Sequence, residues 1–275
     1  MEVIATKRLS ESLGAEVLDI DRDRLLSDDA LPGACLEALD VNGVLLFRGL
    51  HLDDATQVAF CKRLGEVVSV ASHPIPEITV ISLDPKNPLA DYFRGAFEWH
   101  LDGSMDDIPS KASLLTAHVI DEEGGDTEFA STYAAYENLS EDDKQRCQSV
   151  RVVHTFEASQ RRMHPDPTPE QLADWRARPS KEHPLVWEHE TGRRSLVLGV
   201  TASHVVGMDL EEGRDLLDDL LARATAPSQV FRHVWSVGDT VIWDNRGVLH
   251  RACPYEATSP REMHRTTLVG EEAIK

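Results

Sequence analysis

Short apolar runs bounded by glycine, proline or charged residues recur along the chain, and most have strand rather than helix length. Val44-Leu45-Leu46-Phe47, between Gly43 and Gly49, reads as a buried strand. A helix follows it. Asp53 or Asp54 caps that helix, Val58, Cys61 and Leu64 recur at three-residue steps on one face, and Gly65 stops it. Thr79 to Leu83 predicts another strand, and Pro85 to Gly103 a loop ending on a strand that carries Trp99 to Asp102. Ser113 to Ile120 is strand-like, and Glu123-Gly124-Gly125-Asp126 is a turn. Tyr133 to Cys147 predicts a helix in which Ser140 opens a second short turn. Prolines at 165, 167, 169, 179 and 184 bracket Glu170 to Ala177, so one short helix on an excursion from the core is expected there. That excursion is a candidate lid over 160–184. Ser195 to Gly199 is strand-like, and Asp209 with Glu212 forms a capping-box pattern opening a helix that buries Leu216, Leu217, Leu220 and Leu221. Val230 to Val237 and Thr240 to Trp243, joined at Gly238-Asp239, read as a hairpin. Short strands decorated by helices, without an internal repeat, predict a single mainly β domain with flanking helices over residues 1–275. A sandwich or jelly-roll barrel fits this pattern best.

Composition narrows the function classes. The 275 residues are 41% hydrophobic and 28% charged, which is ordinary for a folded chain able to bury a core without staples. Asp and Glu outnumber Lys and Arg by 48 to 28, for a formal charge of -20, so nucleic acid is not an expected partner. No apolar run approaches the ~18 residues that span a bilayer, and the start MEVIATKRLSESLG lacks the apolar core of a secretion signal. No membrane association and a cytoplasmic location are expected. Cys35, Cys61, Cys147 and Cys253 are far apart and form no C-x-x-C pair, which fits reduced thiols better than disulfides or a thiolate zinc site.

Candidate chemistry starts from the histidines. A site for Fe(II) and O2 needs two neutral imidazoles and one carboxylate on one side of the metal, leaving three positions open. His-x-Asp on an extended segment supplies half of it, because residues i and i+2 face the same way. The pattern occurs three times, at His51-Leu52-Asp53, His100-Leu101-Asp102 and His164-Pro165-Asp166. Asp53 is better explained as a helix cap, and the third copy sits in the proline-rich excursion, where fixed metal geometry is hard to hold. The middle copy is the candidate. Of the 12 histidines, His250 alone is followed by Arg at both eleven and fifteen residues, Arg261 and Arg265, and bidentate Arg is the natural partner of a carboxylate.

Five segments together carry a resemblance. They are Trp99-His100-Leu101-Asp102; Gly124-Gly125-Asp126-Thr127 with Ala134-Ala135-Tyr136; His183-Pro184-Leu185-Val186; Trp243-Asp244-Asn245-Arg246 to His250; and Arg261-Glu262-Met263-His264-Arg265-Thr266-Thr267. From about Gly43 to Gly270 the chain resembles the taurine dioxygenase and dichlorophenoxyacetate dioxygenase family of Fe(II)- and alpha-ketoglutarate-dependent enzymes. The resemblance implies a double-stranded β-helix core, the jelly roll of cupin-like proteins, with iron held by His100, Asp102 and His250. It also implies that Thr127 and Arg261 bind the distal carboxylate of alpha-ketoglutarate, and that Arg265 lies near its other carboxylate and the substrate anion. The implied activity is oxidative: alpha-ketoglutarate and O2 are consumed, succinate and CO2 released, and a C–H bond hydroxylated. Related enzymes are commonly dimers or tetramers, so a homo-oligomer is expected.

Substrate identity turns on departures from the taurine pattern. Where taurine dioxygenase carries a His that helps hold the sulfonate, Gly65-Glu66 here leads to Val70. The segments between Ser195 and Arg251 are closer to dichlorophenoxyacetate dioxygenase, so a small hydrophobic organic acid is expected. Arg265, Arg94, His73 and His204 are the candidate contacts beside Val70. The alternatives are desaturation, epoxidation or natural-product tailoring by the same machinery, a non-catalytic small-acid sensor, and a zinc hydrolase, which would leave the Arg261 and Arg265 spacing unexplained.

Overall fold

The computed structural model describes residues 4–69, 74–87, 89–121 and 123–275. Its strands in chain order are β1 (Thr6–Arg8), β2 (Ala15–Val17), β3 (Val44–Phe47), β4 (Thr79–Ile81), β5 (Ala112–Val119), β6 (Thr127–Ser131), β7 (Arg151–His154) and β8 (Lys181–Pro184). They continue with β9 (Val186–Glu188), β10 (Arg194–Leu196), β11 (Ala202–Val205), β12 (Val230–His233), β13 (Thr240–Asp244), β14 (Val248–Ala252) and β15 (Glu262–Leu268). The α-helices are α1 (Arg22–Ser27), α2 (Leu31–Asn42), α3 (Asp54–Leu64), α4 (Ala90–Phe93), α5 (Thr132–Glu137), α6 (Glu141–Cys147), α7 (Phe156–Met163), α8 (Pro169–Ala177) and α9 (Leu210–Ala224).

A large mixed sheet runs β1-β2-β3-β13-β5-β15-β4, and a small sheet runs β12-β6-β14. Only the β2–β3 pairing in the large sheet is parallel. Alternation along its strands sorts side chains to two cores. Val44 and Leu46 of β3, Leu115 and Ala117 of β5, and Met263 of β15 cluster with Phe129 of the small sheet. Leu45, Phe47, Leu114 and Leu268 turn the other way, onto Leu25, Leu31, Leu39 and Phe60 of the first three helices. With both faces covered, β3 has no polar position, which is why it reads as an unbroken apolar run. A third cluster joins α9 and Trp187 to the strands around β7.

The helix after β3 forms as its sequence dictates. Asp53 is the N-cap and accepts from the Thr56 amide, and Gly65 is the C-cap. The helical stretch expected over Tyr133 to Cys147 forms as two helices: Asn138 ends α5, and Ser140, expected to open a second turn, caps α6. The hairpin expected between Val230 and Trp243 does not form. β12 pairs with β6 in the small sheet, whereas β13 pairs with β3 and β5 in the large one. The connection is a corner between sheets, held by buried Asp239, which accepts from Arg48 Nη1 at 2.7 Å and from the Gly49 and Ser236 amides at 3.0 and 3.1 Å. The proline-rich stretch is likewise more integrated than an excursion. Trp175 of α8 is buried, and β8 pairs antiparallel with β7. Among the described residues no helix is long and apolar enough to cross a membrane. All four cysteines are free thiols.

Burial also creates a pH liability. His154 on β7 is fully buried with Nδ1 2.9 Å from Thr201 Oγ1, and burial, aided by His183, pushes it from 6.5 to about 3. The unfolded chain therefore binds this proton while the folded one does not, so the stability it contributes is complete above pH 6.5 and is lost as pH falls toward 3. Urea midpoints measured from pH 7 to pH 4 should fall, and fall less steeply in His154→Gln whatever that variant's stability at pH 7. Parallel pH profiles for the two proteins would contradict a buried neutral His154.

Candidate metal centre

His100 and His250 face each other across a two-bond antiparallel bridge. The His100 amide donates to the His250 carbonyl at 3.1 Å, and the His250 amide returns a bond to the His100 carbonyl at 3.0 Å. Directly opposed residues project to the same face, and the two imidazole centroids lie 4.2 Å apart. The strand expected over Trp99 to Asp102 reduces to this bridge, because the chain turns at once: Gly103 has φ 80°, and a Cβ there would meet Pro109 Cα at 2.8 Å. That turn brings Asp102 back beside both rings.

His100 Nε2 lies 3.8 Å from Asp102 Oδ1, and His250 Nε2 lies 3.8 Å from Asp102 Oδ2. These separations are too long for hydrogen bonds but compatible with one ion about 2.1 Å from each donor. One donor atom from each of the three residues falls within 4.8 Å of the others. The protonation states also suit a cation. His100 Nδ1 lies 2.8 Å from the Glu98 carbonyl, and since a carbonyl only accepts, that nitrogen donates, which fixes the ring so that Nε2 is the atom facing Asp102. His250, packed against Trp243 and Phe129, is pushed down to about 3 by burial and by His100, so it is neutral near pH 7. Burial alone would raise the Asp102 carboxyl, but Arg265, the two imidazoles and the Ser113 hydroxyl bring it down to about 2. Arg265 Nη1 stands 3.4 Å from Asp102 Oδ2, and Ser113 Oγ donates to the same oxygen at 3.3 Å. Asn245 Nδ2 in turn donates to Ser113 Oγ at 3.0 Å, which fixes the direction of the serine proton. Two imidazoles and one ionised carboxylate on one side of an open volume fit a divalent transition metal that keeps free positions.

The open volume is a cavity of about 300 Å³. Ile81, Phe93, Leu115, Val200 and Trp243 supply apolar wall, and Thr127, Arg261 and Arg265 supply the polar groups already singled out by sequence. Arg261 is almost wholly buried, with Nη2 donating to the Gly125 carbonyl at 2.9 Å and its guanidinium 4.7 Å from the Tyr255 ring. Burial draws its pKa down, against the pull of Tyr255 and two aspartates. Thr127 Oγ1 accepts from Trp235 Nε1 at 3.0 Å.

Two of the other substrate candidates are placed elsewhere. Arg94 is exposed and pairs with Asp91 at 3.5 Å, and His204 on β11 contacts Ser203 rather than the cavity. Val70 and His73 lie outside the described residues. Sequence reasoning missed Tyr92, Phe93, Ser159 and Gln160, which reach the cavity from α4 and α7. No spacing rule connects those helices to the β-strand motifs, so no local pattern could have found them.

Comparison with known proteins gives a consistent answer. The model of the taurine catabolism dioxygenase TauD, TfdA family matches residues 5–267. An alpha-ketoglutarate-dependent 2,4-dichlorophenoxyacetate dioxygenase from Burkholderia sp. (strain RASC) is 38% identical over 249 residues, covering 84% of this chain and 83% of the relative. The protein of the same name from Cupriavidus pinatubonensis (strain JMP 134 / LMG 1197) is 36% identical, with both chains covered in full. Among solved structures, AAD-2 in complex with Mn(II) and N-oxalylglycine superposes with a TM-score of 0.83 at 30% identity, covering 99% of this chain and 100% of that one.

The approach of Gly125 to Arg261 is directly testable. A Cβ at Gly125 would lie 2.7 Å from Arg261 Nε, and the residue has φ 70°. Gly192 has a comparable φ of 81° with nothing within 4 Å, so Gly192→Ala measures the backbone strain alone. Gly125→Ala should lose about 1–3 kcal/mol more than Gly192→Ala in urea denaturation, the usual cost of overpacking. Equal losses would show that Arg261 does not pack against this turn.

Proposed function

Because the chain belongs to the TauD, TfdA family of dioxygenases, we propose that it hydroxylates a small hydrophobic organic acid held in the cavity beside His100, Asp102 and His250. The protein is an Fe(II)- and alpha-ketoglutarate-dependent dioxygenase that also uses O2. When bound, the iron supplies the redox centre at which alpha-ketoglutarate and O2 are consumed and succinate and CO2 released. In this reading the two sheets form a double-stranded β-helix within one catalytic domain, and His100 Nε2, the Asp102 carboxylate and His250 Nε2 are the metal ligands. The observation that carries the reading is the joint placement of this cluster and two cavity-facing arginines.

Arg261 and Thr127 bind the distal carboxylate of alpha-ketoglutarate. A buried guanidinium offers a fork of donors matching a carboxylate, and its bond to the Gly125 carbonyl fixes the plane of that fork. Arg265 keeps Asp102 ionised and leaves a cationic edge toward the cavity, where it orients the substrate anion. Ile81, Phe93, Leu115 and Trp243 cover the apolar body of the substrate and exclude water from the reacting C–H bond. Relatives named for dichlorophenoxyacetate support an aryloxy or similar hydrophobic carboxylate. Taurine would cover little of that apolar wall.

Succinate formation measured with Fe(II), alpha-ketoglutarate and a panel of acids tests both parts of the proposal. Aryloxyacetates and other hydrophobic carboxylates should stimulate succinate release well above taurine at equal concentration. In Arg261→Ala the KM for alpha-ketoglutarate should rise by the equivalent of about 2–5 kcal/mol, the cost of stranding one partner of a buried charge pair. Preferred turnover of taurine would overturn the substrate class, and an unchanged KM would move the co-substrate away from Arg261.

A further inference from the structure

On the face of the large sheet that points away from the cavity, the described residues bring together a second set of metal-type donors. Asp54, from the first turn of α3, meets His118 of β5 and His264 of β15, with one donor atom of each within 4.8 Å of the others. The strand pattern explains the placement. Met263 and Arg265 turn inward, so His264 turns outward under α3, where Gln57 Nε2 donates to the His264 carbonyl at 3.0 Å. Opposite it the β5–β15 register shifts, Glu262 facing Val119 and Met263 facing Ala117. His118 is thereby left without a partner across the ladder, as at a β-bulge, and its ring stacks on His264 with centroids 3.8 Å apart.

We propose that Asp54, His118 and His264 form a second divalent-cation site on the outer face of the sheet, taking a zinc-like ion that accepts imidazole and carboxylate together. Three features point to a cation. First, His264 lies between two carboxylates, Nδ1 at 2.5 Å from Asp54 Oδ1 and Nε2 at 3.1 Å from Glu262 Oε1. The Nε2 proton serves Glu262, and a cation would take the place of the proton now shared between Nδ1 and Asp54. Such an arrangement, carboxylate to imidazole to metal, is how metal-binding histidines are oriented. Second, His118 Nε2 is buried and has no hydrogen-bond partner among the described residues, which a metal bond would satisfy. Third, the His118 and His264 rings stack, which helps bring a donor nitrogen of each and an Asp54 oxygen within 4.8 Å of one another.

An ion about 2.1 Å from each donor needs the donors roughly 3.4 Å apart, so a small rotation of Asp54 away from His264 would accompany binding. The Asp54 and Glu262 side chains at the cluster are 20% and 45% exposed, so its edge is in contact with solvent. Once bound, the cation would pin α3 to β15 one residue from Arg265. Its role is therefore structural, stiffening the strand that carries the cavity arginines.

Metal-free protein titrated with Co(II), followed by gel filtration and metal analysis, separates the two sites. The wild type should retain about two equivalents, one for each three-donor cluster. His100→Ala with Asp102→Ala should retain one, as should His118→Gln or the near-isosteric Asp54→Asn. Zinc should raise the Tm of the His100→Ala and Asp102→Ala protein but not when His118→Gln is added. Circular dichroism on each metal-free variant establishes that it is folded, and Asp54→Asn carries the test if His118→Gln is not. Retention of two equivalents by both outer-site variants would overturn the proposal. So would a wild type that retains one equivalent and a His100→Ala and Asp102→Ala protein that retains none.

Discussion

The candidate centre depends on one pair of backbone hydrogen bonds. Reciprocal N–H to C=O bonds between His100 and His250 join two segments that are 150 residues apart in the chain, and they do so at the residues whose side chains matter. Because the bonds are made by the main chain, the spacing of the two rings is set by ladder geometry and not by side-chain packing. The rest of the centre is built outward from that bridge. Gly103 turns the chain so that Asp102 closes the third side, and Ser113 and Asn245 hold the carboxylate in place. Phe129 and Trp243 pack against the His250 ring and fill the space through which water would otherwise reach it.

β15 carries the electrostatics on both of its faces. Arg265 reaches inward to Asp102, where it keeps a carboxylate ionised in a buried setting that would otherwise favour the neutral acid. His264, the preceding residue, reaches outward to Asp54 and Glu262. The two faces of this strand therefore share one backbone, and a shift in its register would exchange the arginine for the histidine. That coupling gives a physical reason for the dense anchoring of the strand by Gln57 and Cys61 of α3, which contact the His264 carbonyl and the Thr266 hydroxyl.

Much of this was legible in the sequence, for identifiable reasons. Of the three His-x-Asp pairs, the structure gives Asp53 its role as a helix cap and leaves His164 and Asp166 exposed, so the middle pair remains with a buried surrounding. Capping and apolar periodicity placed α3 and α9, whose limits are set by local chemistry. What failed to show was anything decided between sheets. Val230 to Trp243 looks like a hairpin because its turn residues are those of one, yet Asp239 makes them a corner by accepting bonds from Arg48 and Gly49, distant in the chain. Arg94 and His204 are candidates by residue type and resemblance, and no periodicity says which way an isolated side chain points. The cavity walls from α4 and α7 depend on tertiary packing, to which sequence spacing is blind.

His100, Asp102, His250 and Arg261 hold their proposed roles only if a metal and a dicarboxylate bind together in the cavity. A crystal structure of this protein grown with Mn(II) and N-oxalylglycine would locate both at once. Manganese should be coordinated by His100 Nε2, the Asp102 carboxylate and His250 Nε2, with the distal carboxylate of N-oxalylglycine paired to Arg261 and Thr127. A structure in which the cavity metal lacks any one of those three ligands, or in which the analogue binds away from Arg261, would contradict those roles.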